Sequence, residues 1–176
     1  MSFFDDTIGL LAGPRGPRVV FAGMAAACVA LVAFALYLQH YQAQDPCPLC
    51  ILQRVAFLLM AVFAAAAAAL PTGRAVVAFR AFGALVVLSA LAGTGVAVRH
   101  VWLQLHPQQF LSCGGSLDVL LETFPLAEAL PKIFRGTGDC AEIGWTFLGW
   151  SIPQWTLLCF VVLTVIAVWA TVRRRA

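Results

Sequence analysis

Apolar residues run through this chain in long blocks, separated by short clusters of proline, glycine and charge. The blocks at residues 19–39, 51–70, 75–98 and 152–172 each approach or exceed the ~20 residues needed to cross a bilayer. An isolated spanning segment must satisfy its own backbone hydrogen bonds, so each block is predicted to be a helix. The expectation is an all-α membrane protein, a four-helix transmembrane bundle forming a single domain over 1–176. The second and third helices are joined through Pro71, Thr72, Gly73 and Arg74, a turn short enough to force an antiparallel hairpin. The alanine run at 64–69 offers a smooth surface on which neighbouring helices approach closely.

Two connections lie on the opposite face, at 40–50 and 99–151. In the longer one, Leu117, Val119, Leu120, Leu121, Phe124, Leu126, Leu130, Ile133 and Phe134 alternate with acids and with Pro125 and Pro131. That pattern suits one or two short interfacial helices covering the bundle as a lid.

Composition agrees with the blocks. At 62% hydrophobic and 11% charged, with mean hydropathy +0.91, the chain is too apolar for an ordinary water-soluble domain. The first block could be mistaken for a signal peptide. Its length, and Asp5 and Asp6 ahead of it, favour a retained helix. Arg15, Arg18, Arg74, Arg80, Arg173, Arg174 and Arg175 all fall on one side, which makes that side cytoplasmic and puts both termini there. On the outer side Asp45, Asp118, Glu122, Glu128, Asp139 and Glu142 outnumber Arg99, Lys132 and Arg135. The net charge of +3 is thus a basic inner face, and no nucleic-acid footprint is present. Trp102, Trp145, Trp150 and Trp155 flank outer helix ends and Trp169 an inner one, as in an aromatic belt.

The six cysteines divide by depth. Cys28 and Cys159 lie within apolar blocks, where a thiol acts as a small hydrophobe. Cys47, Cys50, Cys113 and Cys140 all face the outer side, an oxidising compartment in a bacterium with a periplasm. A metal site is not expected, because only Cys47 and Cys50 have knuckle spacing. A structural staple suits the distant Cys113 and Cys140, since closing a loop of that length stabilises by ~3 kcal/mol or more in the chain-entropy account. The C-x-x-C ring is too small to act as a staple. Redox enzymes use such rings because the surroundings can favour one thiolate and set the reduction potential.

The position of DPCPLCILQR reinforces a chemical role. Asp45 precedes a proline and is biased out of the helical region, while Pro48 suits a first helical turn. The second helix should therefore begin at about Cys47 to Cys50, with Cys50 at its positive end. Arg54 is one turn further on the same face, and its side chain leans back toward Cys50. An ionisable group inside a spanning helix marks a functional site by default. A dithiol there needs a two-electron acceptor, and a membrane quinone is the natural one. His100, at the outer end of the third helix, is a second candidate for the quinone. His40 and His106 have no such neighbour.

Taken together, C-P-L-C-x-x-x-R opening a second spanning helix, H-V-W-L-Q-L-H-P before Cys113, and G-D-C-A-E with W-x-F-L-G and P-Q-W around Cys140 resemble the DsbB family of disulfide-forming membrane proteins. The resemblance covers nearly the whole chain, from the first helix to the last. It implies a bacterial inner-membrane oxidoreductase that reoxidises a periplasmic DsbA-like dithiol oxidase and passes electrons to the quinone pool, ubiquinone or alternatively menaquinone. Such an acceptor chain suits an oxidant near about −120 mV. By position, the redox disulfides are Cys47–Cys50 and Cys113–Cys140. Cys113 is the sulfur attacked by the partner and Cys140 its resolving mate; Cys47 exchanges with Cys140, and Cys50 faces the quinone with Arg54 and His100. The outer loop then becomes a carrier as well as a lid. The alternatives are a DsbI-like specialised homologue, a quinone reductase of the vitamin K epoxide reductase type, or a disulfide-stapled scaffold. The second places its C-x-x-C late in the bundle, whereas here it opens the second helix. Thiol trapping with graded reductant separates the scaffold, whose staple should resist reduction.

Overall fold

The computed structural model describes residues 16–42, 46–71, 76–106, 140 and 143–173. Four helices account for most of them: α1 (Gly16–Tyr41), α2 (Pro48–Ala69), α3 (Val76–Leu105) and α4 (Ile152–Arg173). Each is long and apolar enough to span a membrane. At about 1.5 Å per residue even the shortest extends roughly 33 Å, the thickness of a hydrocarbon core. The expected spans match to within a few residues, with two extensions that matter. Pro48 starts α2, and α3 continues to Leu105, so His100 and Trp102 sit on the last turns of a helix rather than in the outer connection. The chain contains no proline between Pro71 and Pro107, so no residue in that stretch lacks its backbone donor. The interfacial lid helices expected between Leu117 and Phe134 lie outside the described residues.

Local chemistry sets the ends of α2. Cys47 is extended (φ −67, ψ 162) and caps the helix, its sulfur accepting from Cys50 N. Its carbonyl accepts from Ile51 N at 3.2 Å, and Pro48 fills the first helical position, where a missing N–H costs nothing. Leu70, ahead of Pro71, turns extended, as a residue before proline prefers. At that inner end Arg18 Nε donates to Ala68 O at 2.9 Å, a basic group satisfying a terminal carbonyl.

α1 packs on α2, α2 on α3 and α3 on α4, while α1 and α4 touch only slightly. The core runs along the bundle axis through Phe21, Met24, Met60, Phe79, Val86 and Phe160. Phe57 and Phe160 stack at 4.0 Å and 9°, and Phe21 meets Phe79 edge-on at 5.3 Å. Outward residues such as Val62, Leu88 and Val165 are exposed, a surface that a bilayer rather than water would solvate. Arg99 lies over Trp102 and Arg173 over Trp169, each at 4.7 Å, at opposite ends of the bundle.

Close approach of α3 and α4 depends on glycine. A side chain at Gly93 would run into the Phe160 ring, whereas one at Gly95 meets nothing within 4 Å. Gly93→Leu is expected to destabilise the bundle by about 1–3 kcal/mol or more, the cost of overpacking. Gly95→Leu, on the same helix, should leave the midpoint of thermal unfolding in detergent nearly unchanged.

Ahead of α4 a short hairpin adds two strands, β1 (Thr146–Phe147) and β2 (Trp150–Ser151), paired antiparallel. Both turn residues are left-handed, Leu148 at φ 53 and Gly149 at φ 80, as the tightest hairpin turn demands. Leu-Gly lacks the usual Asn-Gly or Asp-Gly signal, and the sequence reading assigned no strand there. Trp155 Nε1 donates to Phe147 O at 3.0 Å and fixes the hairpin to α4.

Candidate functional site

The capping geometry of α2 brings its two thiols together. Cys47 Sγ lies 3.2 Å from Cys50 Sγ and accepts from Cys50 N at 3.4 Å. The dipole and the unpaired amides of the first turn thus converge on the pair. Cys140, distant in sequence, is fully buried among Cys47, Leu49, Val96 and Leu103, with its sulfur hydrogen-bonded to Cys47. The Cys47 thiol is pushed above the ordinary thiol range by its hydrogen bonds to Cys140 and then Cys50, and by burial. Cys113 lies outside the described residues.

His100 joins the cluster from α3. Its Nε2 is 3.7 Å from Cys47 Sγ, and the ring is also hydrogen-bonded to the Cys140 backbone. At 2% exposure it requires partners on both nitrogens. The second comes from Gln53, itself 3% exposed, whose Nε2 lies 3.3 Å from His100 Nδ1. Thr156 Oγ1 on α4 donates to Gln53 Oε1 at 2.8 Å. A polar chain therefore crosses three helices and ends on the sulfurs. Neither Gln53 nor Thr156 was singled out in the sequence. The available signal was an amide inside an apolar block, next to the arginine already noted.

Arg54 occupies a different position from the one its spacing suggested. Its Nη1 donates to Gln39 Oε1 at 2.6 Å and Nη2 to Ala35 O at 3.3 Å, so the guanidinium is tied across to α1 rather than folded back on Cys50. The reason is hydrogen-bond demand: a guanidinium with five donors is best satisfied by an amide and a carbonyl on the facing helix. Arg54 and Cys50 nevertheless line the same cavity, of about 1470 Å³, which opens where α1 and α4 separate. Its walls include Leu31, Ala35, Leu38, Phe57 and Ile152, with Cys50, Arg54 and His100 as converging polar groups, and Trp145 and Phe147 of the hairpin segment at one side. An apolar cleft with a few placed polar groups is what a hydrophobic ligand with polar ends requires. A quinone, with apolar ring and tail and two carbonyl oxygens, fits this lining.

The remaining candidates separate from this centre. His106 Nδ1 lies 3.0 Å from Trp102 O and its ring stacks on Trp102. Cys28 is core. Cys159 packs against that core and reaches the cavity wall. Cys47 Sγ, Cys50 Sγ and a His100 ring nitrogen lie within 4.8 Å of one another, a set of metal-ligand type that linear spacing had not suggested.

Comparison with known proteins places this geometry. The profile described as "Disulfide bond formation protein DsbB" matches residues 17–170. Curated relatives named disulfide bond formation protein B include one from Azoarcus sp. (strain BH72), 49% identical over 94% of this chain and 99% of the relative. Another, from Aromatoleum aromaticum, is 46% identical over 90% and 94%, and one from Methylobacillus flagellatus is 42% identical over 95% and 98%. With four helices long and apolar enough to span a membrane and sequence agreeing along the chain, the protein belongs to the DsbB family.

Proposed function

We propose that the chain is a membrane thiol:quinone oxidoreductase that reoxidises a periplasmic DsbA-like dithiol oxidase and sustains disulfide bond formation. As a DsbB-family protein it is a multi-pass inner-membrane protein-disulfide oxidoreductase linked to quinone. In our reading the quinone is ubiquinone, the cysteine pairs face the periplasm, both termini are cytoplasmic, and 1–176 acts as one membrane domain. The observation that carries the reading is the line of sulfurs. Cys140 touches Cys47, Cys47 lies 3.2 Å from Cys50, and Cys50 opens on a membrane-level cavity shared with Arg54. A stapled scaffold has no use for that cavity.

A thiolate of the reduced partner attacks Cys113 in the Cys113–Cys140 disulfide, forming a mixed disulfide and releasing Cys140 as thiolate. Cys140 attacks Cys47; the Cys47–Cys140 bond forms, the Cys47–Cys50 bond breaks, and Cys50 leaves with the electron pair at the helix N-terminus, where negative charge is favoured. The partner's second thiolate displaces Cys113, which closes on Cys140 and frees Cys47. Two electrons and two protons from the partner now reside on the Cys47/Cys50 dithiol. A quinone at the cavity supplies the acceptor for both, and Arg54 and His100 are the residues that would hold it.

Purified protein mixed with a reduced thioredoxin-fold dithiol oxidase and a soluble quinone should bleach the quinone absorbance catalytically. Absence of turnover would sink the reading. Arg54→Ala should raise the KM for quinone by about tenfold or more, as expected for losing a charge-assisted hydrogen bond. The KM for the protein partner should not move; an equal rise in both would remove Arg54 from the quinone site.

A further inference from the structure

We propose that the dithiol form of this site binds one thiophilic d10 cation, Zn2+ as the probe, through Cys47 Sγ, Cys50 Sγ and His100 Nε2. The three donors come from a helix cap, the first turn of α2 and the last turns of α3, and their ligand atoms cluster within 4.8 Å. The sulfurs lie 3.2 Å apart and Cys47 Sγ lies 3.7 Å from His100 Nε2, within roughly 0.6 Å of the ~3.8 Å (S to S) and ~3.5 Å (S to N) edges of a tetrahedral zinc site with Zn–S of about 2.3 Å and Zn–N of about 2.0–2.1 Å. Small side-chain adjustments complete the set. Cys140, whose sulfur is hydrogen-bonded to Cys47, borders the fourth position.

The surroundings fit a ligating histidine. Such a ring gives its second N–H to a carbonyl or carboxylate, which fixes the lone pair on the metal. Gln53 faces His100 Nδ1 and now presents its amide nitrogen. Turned over, its Oε1 would accept Nδ1–H and expose the Nε2 lone pair to the cation. The network can follow, because the Thr156 hydroxyl lies 2.9 Å from Pro153 O as well as 2.8 Å from Gln53 Oε1. With its proton kept on Pro153 O, Thr156 Oγ1 accepts from the reoriented amide. The hydrogen bonds that join His100, Gln53 and Thr156 are thereby kept.

Binding replaces the thiol protons of Cys47 and Cys50 by the cation and moves no electrons. A Cys47–Cys50 disulfide has no thiolate to offer, so the oxidised protein does not bind. Binding itself stands apart from the oxidoreductase reading. Its consequence, arrest of turnover with the dithiol held closed, rests on that reading.

The test uses the full-length protein in detergent. It is reduced with a phosphine, freed of reductant and equilibrated with Zn2+; bound metal is measured with a chromogenic chelator, and Co2+ reports coordination through its visible spectrum. One equivalent per chain should bind to reduced wild type and Cys113→Ser, with the intense visible bands of tetrahedral Co2+, and none to the oxidised wild type. Cys50→Ser and His100→Ala should abolish stoichiometric binding, and Gln53→Leu should weaken it by about 10–100-fold, the usual loss for an outer partner of a metal ligand. Equal binding by oxidised and reduced wild type overturns the proposal without recourse to any variant. Retention in Cys50→Ser with loss in Cys113→Ser overturns it too, by moving the metal to the loop cysteines.

Discussion

Cys50→Ser is expected to reduce catalytic quinone reduction below about one part in a thousand of wild type, the scale of loss when an enzyme's covalent nucleophile is removed. Serine cannot form the disulfide with residue 47, and its hydroxyl stays protonated where a thiol at a helix N-terminus can ionise. The substitution keeps the size of the side chain and the backbone N–H that donates to Cys47 Sγ, so the cap and the fold should survive. The informative part is what remains. On the proposed relay a Cys113–Cys140 disulfide would still oxidise the partner, so a stoichiometric mixture should yield one equivalent of oxidised partner and then stop. Continued turnover would show that electrons leave the protein by a route that bypasses Cys50.

Cys140→Ser should be as damaging to turnover, by about a thousandfold or more, for a different reason. Cys140 is the sulfur packed on Cys47, and on the proposed relay Cys113 reaches the Cys47/Cys50 pair only through it. Cys113 is left as an unresolved thiol. It should attack the disulfide of an oxidised partner and hold it in a mixed disulfide, seen as a reductant-sensitive band on a non-reducing gel. Adding Cys113→Ser should remove the band. A covalent complex that instead depends on Cys47 would show that the order of transfer assigned to the four cysteines is wrong.

The legible features were those encoded by neighbouring residues. Apolar blocks fixed the helices, because a spanning segment satisfies its own backbone and needs only length and apolarity. Pro46 and Pro48 located the start of α2, and the C-x-x-C followed from it. Arg54 stood out as a charge inside an apolar block, but its hydrogen-bond partners were not legible. Spacing along one helix placed it toward Cys50, whereas Gln39 and Ala35 O on α1 supply the stronger hydrogen bonds. His100 was a candidate by depth alone and acquired its partners only from the packed bundle.

By itself, then, the sequence determined the number and approximate length of the apolar helices, and that the C-x-x-C opens one of them. These depend on periodicity, composition and proline, all local properties. Tertiary structure alone decided that Cys140 rests on Cys47 and that α1 and α4 part to open a cavity at Cys50. It also decided that Thr156, Gln53 and His100 join α4, α2 and α3 into one polar chain. Those contacts link residues 103 and 47 positions apart, and they depend on how each helix is rotated about its axis. Small residues such as Gly93 help to set that rotation by admitting one close approach and excluding others. No stretch of the chain read alone carries that information.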